Sequence, residues 1–391
     1  MSFQIDIPEP SWNSDLANII LDLEKLRAIR RSEVPHYIFF QLKQIFQILE
    51  TLGSARIEGN NTTLTEFVER IIENPIAEKA GLVDERCQEL ENLESGIAFI
   101  EEHTNEETKI DRAYISELHK IIVQSLTPPP EGEGSRYAGE LRKSDVKITK
   151  SNHIPPSVAI LKEYFDGFIE FINQSLPINN QLLMVAIAHH RFMHIHPFDN
   201  GNGRMGRLLN YAFLIKLGFN VKAGRIINPS SVFYTNRDKY YEMLSKADSL
   251  TKGDLLSWAE YFLFGLKNQI EKIDSLMHRD YTRDKILLPS LKIALDRQHI
   301  TQQEFDILGS VVKADDMTIK SADLGKFGFK TSQQKSYAMQ KLREKGMVRA
   351  IEDGGRIYTI RFANNYLLRS VVQILKENGF VADFLNQNAV K

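Results

Sequence analysis

One pattern dominates this chain of 391 residues: apolar side chains recur every three or four positions. Ile38, Leu42, Ile45, Leu49 and Leu52 share one face of a helix across 34–52. Val158, Leu161, Phe165, Phe168 and Ile172 repeat the spacing, as do Met205, Leu208, Leu209, Ala212 and Ile215 before Gly218 offers a stop. Such stripes are faces for a shared core, so a mainly helical protein is expected. Two regions break the period. Residues 136–156 carry the alternation Val146-Lys147-Ile148-Thr149 and end in Pro155-Pro156, which cannot lie inside a helix. A short hairpin or extended loop is expected there. In the last third, a charged stretch at 278–285 reads as a linker. Helices follow near 302–312, 321–327 and 331–345, then strands at 347–351 and 356–362 around Asp353-Gly354-Gly355. That order is the order of a winged helix-turn-helix.

Composition narrows the partners. Hydrophobic residues make up 42% and charged ones 26%, the balance of a globular chain, and the net charge of −2 excludes a basic field over the whole molecule. Residues 320–361 depart from that balance, with ten Lys/Arg against four Asp/Glu, a local excess of +6. This segment suits contact with nucleic-acid phosphates or with a protein. The single cysteine, Cys87, excludes an intramolecular disulfide and any cysteine cluster for zinc. The first residues show no basic and apolar leader pattern, and no apolar run approaches the roughly 18 residues of a membrane span. A cytoplasmic protein without membrane contact is expected.

The chemistry concentrates at 193–210. Asn200-Gly201-Asn202-Gly203 is a tight turn running straight into an amphipathic helix. Free N–H groups at a helix start, with the positive end of its dipole, form an anion site, and glycine lets backbone approach a phosphate. Arg204 and Arg207, three apart, add two guanidiniums suited to a polyphosphate. His196, just before the turn, can act as a base near neutral pH. The turn is not a Walker loop, because no Gly-Lys-Ser/Thr follows. His190 and His194 have the helical spacing of a zinc protease, but Arg191 stands where the catalytic glutamate belongs. His189, His190 and His194 therefore read as structural.

This segment resembles the signature of the Fic family, His-x-Phe-x-(Asp/Glu)-Gly-Asn-Gly-Arg-x-x-Arg. Here it reads His196-Pro197-Phe198-Asp199-Asn200-Gly201-Asn202-Gly203-Arg204-Met205-Gly206-Arg207. The resemblance spans about residues 35–265. It includes Gly139-Glu140-Leu141-Arg142 and the 146–156 segment, which is similar to the family's target-docking flap (Val146, Lys147, Ile148, Thr149). The 231–241 segment is similar to the helix beside the nucleotide base, which assigns Tyr234, Asn236 and Tyr240 to nucleotide binding. One departure stands out. The family's magnesium-binding acid falls at Asn200, whose amide oxygen can coordinate Mg²⁺ but brings no charge. Asp199 lies one residue early, where its side chain points elsewhere.

The resemblance implies transfer of AMP from ATP to a Ser, Thr or Tyr hydroxyl of a protein. His196 is the base; Asn200, Gly201, Asn202, Gly203, Arg204 and Arg207 hold the phosphates, with Asn200 on Mg²⁺. Leu52-Gly53-Ser54-Ala55-Arg56-Ile57-Glu58-Gly59-Asn60 resembles the family's inhibitory Ser/Thr-x-x-x-Glu-Gly/Asn motif. Ser54 and Glu58 share a helix face, and Glu58 is expected to pair bidentately with Arg207, displacing the γ-phosphate. Two alternatives stay open: AMP removal or transfer of another phosphate-containing group at the same site, and a DNA-binding regulator whose Fic domain is a sensor. The expected architecture is an all-α Fic core with a small β-hairpin flap and a C-terminal winged helix-turn-helix. Its expected parts are residues 1–110 with an inhibitory helix near 34–60, a core at 111–277, and the winged-helix domain at 278–391. Self-modification and a homodimer accompany this reading.

Overall fold

Helices form where the apolar stripes run, and their ends are set by local hydrogen bonding. The computed structural model describes residues 6–28, 32–73, 85–148, 151–219, 225–352 and 354–386. The first four helices are α1 (Asp15–Ala28), α2 (His36–Glu58), α3 (Leu64–Glu73) and α4 (Glu85–His103). Then come α5 (Arg112–Val123), α6 (Val158–Asn173), α7 (Ile178–Ile195) and α8 (Asn202–Lys216). A single turn, α9 (Ser231–Tyr234), precedes α10 (Arg237–Ala247) and α11 (Lys252–Asp274). Side-chain caps start several of them. Asp111 accepts from Tyr114 N–H at α5, Asn236 from Lys239 N–H at α10, and Thr251 from Asp254 N–H at α11. Gly59 ends α2 at φ 117°, a left-handed value glycine takes without penalty.

The stripe residues of α2 and α8 are buried. So are those of α6 apart from Val158, which opens its helix at the surface with 38% exposure. α2 lies across α4, α8 and α9, and α7 pairs with α8.

The last third is α12 (Arg279–Tyr281), a π-helical turn over Thr282–Leu287, α13 (Leu288–Asp296), α14 (Gln302–Lys313), β1 (Thr318–Lys320), a 3₁₀ turn over Ser321–Phe327, α15 (Ser332–Glu344), β2 (Val348–Ala350), β3 (Ile357–Ile360) and α16 (Leu367–Glu377). β3 is the central strand, antiparallel to both neighbours, with Ile319 opposite Tyr358 and Arg349 opposite Thr359. The expected linker at 278–285 is instead helical from Arg279 onward, after a break at His278. Thr282 is buried there and its hydroxyl donates to the Leu276 carbonyl at 2.6 Å, so charge at this stretch marks a wet helix face. The expected flap hairpin is also absent among the described residues. Residues 145–148 and 151–157 are irregular chain with no ladder partner, and Thr149 lies outside the described residues.

One continuous apolar cluster extends from Leu16 to Leu385. α2 joins its two ends: Gln41 donates to the Ile360 carbonyl at 3.0 Å and accepts from Phe362 N–H at 2.7 Å. No described helix is long and apolar enough to cross a membrane.

Candidate active site

The glycine turn between α7 and α8 is built largely by its own residues. His196 leaves α7 in the left-handed region, φ 52°, and its N–H still bonds the Phe192 carbonyl at 3.0 Å. Gly201 caps α8 at φ 77°. Asn202 bridges the turn from inside: its amide accepts from Phe198 N–H at 3.0 Å and donates to the Phe198 carbonyl at 2.9 Å. The side chain assigned to phosphate is thus a staple within the loop. Phe198 is buried and stacks on His119, ring centroids 3.8 Å apart. His119 accepts from Gly139 N–H through Nδ1 at 2.8 Å, which leaves Nε2–H to donate to the Asn200 carbonyl at 3.1 Å.

Both arginines are buried, and a buried guanidinium needs partners. Arg204 is fully enclosed, with Nη1 at 3.2 Å from Glu89 of α4 and Nη2 donating to the Glu133 carbonyl at 2.5 Å. Arg207 meets the C-terminal end of α2. Its Nε donates to Ser54 Oγ at 2.8 Å, and its Nη2 donates to the Ser54 carbonyl at 3.1 Å and to Glu58 Oε1 at 2.6 Å. The expected bidentate pairing is therefore replaced by a shared fork, because Ser54 takes one prong of the guanidinium. Glu58 also lies over the first turn of α8: a β-carbon on Gly203 would fall 1.9 Å from Glu58 Oε1. Burial alone would raise the Glu58 carboxyl, but Arg207, with Arg204 and Arg237, holds it below its ordinary range. A carboxylate anion thus sits at the helix mouth, on the arginine beside it.

His196 is set by a residue the sequence motifs carried without a role. Arg142 donates from Nε to the His196 carbonyl at 2.9 Å, and its own N–H bonds the Pro197 carbonyl at 2.9 Å. Its Nη1 bonds the Ser144 carbonyl at 3.0 Å, and its Nη2 reaches the Pro156 carbonyl. One side chain thereby fastens the histidine loop to both ends of the flap, where Val146, Lys147 and Ile148 lie. Burial, helped by the Arg142 charge, lowers the His196 imidazole to about 4, so the ring is neutral at pH 7 with a lone pair on one nitrogen.

Several assigned residues stand elsewhere. Tyr234 is buried, its ring against Gly53 of α2, where an added β-carbon would meet it at 2.1 Å, and Asn228 donates to its hydroxyl at 2.8 Å. Tyr240 is fully enclosed and bonds His189 Nε2 at 3.0 Å. Asn236 is exposed and caps α10 through a 3.0 Å bond from Lys239 N–H. Two ligand candidates are therefore core residues and the third is a helix cap. Asp199 accepts from Arg136 N–H at 2.9 Å and from the Ser135 hydroxyl, so its carboxylate faces that loop. Asn200 does not fit a metal ligand. Its Oδ1 accepts from Gly201 N–H at 2.8 Å and its Nδ2 points at Glu133, 3.4 Å away. Glu133, Glu89 and Glu58, the acids around the mouth, all lie against Arg204 or Arg207. These residues form no magnesium site of their own.

Comparison with known proteins agrees on the domain. Residues 109–214 match the Fic/DOC family model. "Protein adenylyltransferase Fic" of Drosophila erecta is 30% identical over 213 residues, covering 53% of this chain and 38% of that protein. Its counterpart in Drosophila ananassae is 29% identical over 243 residues, 61% of this chain and 42% of that one. The match thus covers well under half the length of these relatives. A Fic family protein from Desulfovibrio desulfuricans G20 superposes with a TM-score of 0.54 at 18% identity, over 91% of this chain and 98% of that one. Fic-1 (residues 134–508) from C. elegans does so at 0.50 and 20% identity, over 67% and 72%. These last two likenesses concern the fold.

Proposed function

We propose that this chain, which carries a Fic domain at 109–214, is a protein adenylyltransferase restrained by its own Glu58. One observation carries the reading: an anion of the protein already sits on the α8 mouth and on Arg207, 2.6 Å away. A mouth that holds a carboxylate against two buried arginines is chemically suited to a polyphosphate.

In this reading the oxygen of a Ser, Thr or Tyr hydroxyl attacks the α-phosphorus of ATP. His196 takes the hydroxyl proton, the new P–O bond forms, and the bond to pyrophosphate breaks with the electron pair leaving on pyrophosphate. The backbone N–H groups of Asn202 and Gly203 and the guanidiniums of Arg204 and Arg207 hold the phosphates and stabilise charge as it develops. Arg142 keeps His196 and the flap in register. Residues 146–148, which have no strand partner, receive a target segment by strand addition. Mg²⁺ belongs to the reading as the counter-ion of ATP. The reaction is placed in the cytoplasm, and exposed hydroxyls of this chain or of a second copy are among the targets.

The test is incorporation of label from α-labelled ATP into protein. Glu58→Gly should raise it at least tenfold over the unaltered chain, and Glu58→Gly with His196→Ala should abolish it. Equal labelling of the unaltered chain and Glu58→Gly would remove the restraint from this reading.

A second surface favours a nucleic-acid contact alongside the transfer. Lys320, Lys335, Arg343 and Arg356 line one open groove between α15 and the sheet. Duplex DNA binding by the full chain that weakens steeply with salt would support it.

A further inference from the structure

At the end of α7, three side chains from separate segments converge. His153 lies on the flap, His194 in the last turn of α7, and Asp248 just after α10. One ligating atom from each lies within 4.8 Å of the other two, and all three residues are partly buried. The imidazoles of His153 and His194 face each other at 3.9 Å between centroids. We propose that His153, His194 and Asp248 bind one divalent transition metal ion of the zinc class, with a fourth position open to water.

The surrounding bonds orient the donors. His153 Nε2 lies 2.8 Å from the His194 carbonyl, so it carries the proton and Nδ1 keeps the lone pair. His194 Nδ1 is buried without a hydrogen-bond partner. His190, one turn before His194, holds Asp248 Oδ1 at 3.0 Å through Nε2, which fixes the carboxylate and leaves its second oxygen available. A histidine that orients a ligating carboxylate is an outer-shell arrangement found around metals. Two imidazoles and one carboxylate are the donor set zinc accepts in open sites. Donor atoms around a tetrahedral zinc stand roughly 3.3 Å apart, so binding would draw the three donors closer together.

The position gives the ion a consequence. His153 belongs to the flap, and His194 lies two residues before His196. A bound metal would add a second tie between the flap and the end of α7, beside the Arg142 bonds. Without the metal, Arg142 and the bond from His153 Nε2 to the His194 carbonyl would still hold the flap.

The experiment uses the full chain without a histidine tag, stripped by chelator and titrated with Co²⁺ as a spectroscopic probe. One equivalent should bind, with the visible absorption of a four-coordinate ion, and one equivalent of Zn²⁺ should displace it. His153→Ala and Asp248→Asn should each weaken Co²⁺ binding at least tenfold, while His103→Ala, an exposed helix-end histidine, should leave it unchanged. His153 stands on irregular chain, so its variant is expected to fold, and an unchanged far-ultraviolet dichroism spectrum checks this. Less than half an equivalent of Co²⁺ bound, an octahedral spectrum, or binding unaffected by His153→Ala would overturn the proposal. None of these readouts depends on nucleotide transfer, so the metal site and the adenylyltransferase reading fail separately.

Discussion

The chain gathers positive charge in two places and treats it in opposite ways. At the α8 mouth, Arg204 and Arg207 are 0% and 1% exposed, and each faces a carboxylate. In the C-terminal groove, Lys320, Arg343 and Arg356 stand in water. Burial explains the difference. A guanidinium taken out of water must be neutralised, so the mouth comes with anions of its own. A solvated lysine has no such requirement. Its attraction is weaker, longer in range and screened by salt. The anion-filled mouth and the open groove are therefore two outcomes of one electrostatic rule.

The largest expected effect attacks the buried side. Arg204→Ala leaves Glu89 enclosed without its cation and should cost about 3–5 kcal/mol of stability, measured by denaturant unfolding. A loss below about 1 kcal/mol would mean that the interior here is wetter than the geometry implies. A somewhat smaller effect comes from Glu50, a buried carboxyl on α2 that accepts from Ser230 N–H at 3.0 Å. Burial, against the Ser230 bonds and the Arg207 charge, pushes it up to about 7 from 4.5. With the folded pKa above the unfolded one, its stabilising contribution is complete below pH 4.5 and is lost as pH rises through 7. Glu50→Gln should then melt with the unaltered protein at pH 4 but gain on the order of 3 kcal/mol relative to it at pH 8. Parallel melting curves at both pH values would refute the assignment. The smallest effect belongs to the groove. Lys320→Ala with Arg343→Ala should leave stability within about 0.5 kcal/mol while flattening the salt dependence of DNA binding. A large drop in melting temperature would place these side chains in the structural interior instead.

The parts of the molecule readable from the sequence are those set by local chemistry. The stripe from Ile38 to Leu52 lies in a helix and faces the core because its period is fixed by the backbone, and Gly201 takes the positive φ that a tight turn demands. Ser54 and Glu58 meet Arg207 because a spacing of four on a helix survives folding. Long-range packing was invisible. The alternation at Val146 signals a strand but not a partner, and in the chain alone the ladder is unmade. Tyr234 and Tyr240 sit next to recognisable residues, yet which face of α9 or α10 turns inward depends on α2 and α7. Arg142 was within view in the Gly139-Glu140-Leu141-Arg142 stretch, whereas nothing near His119 hints at its hold on the Asn200 carbonyl, 81 positions away.

At 23 residues, α2 is a rod about 34 Å long. One tip ends in the serine and glutamate that grip Arg207, and near the other Gln41 is clasped by the chain leaving β3. The helix that carries Ser54 and Glu58 is thus anchored by the last strand of the C-terminal sheet and the chain that leaves it. Trimming the chain after α11 would remove the Ile360 and Phe362 backbone groups that Gln41 bonds, so activity measured on such a fragment would belong to a chain whose α2 had lost that anchor.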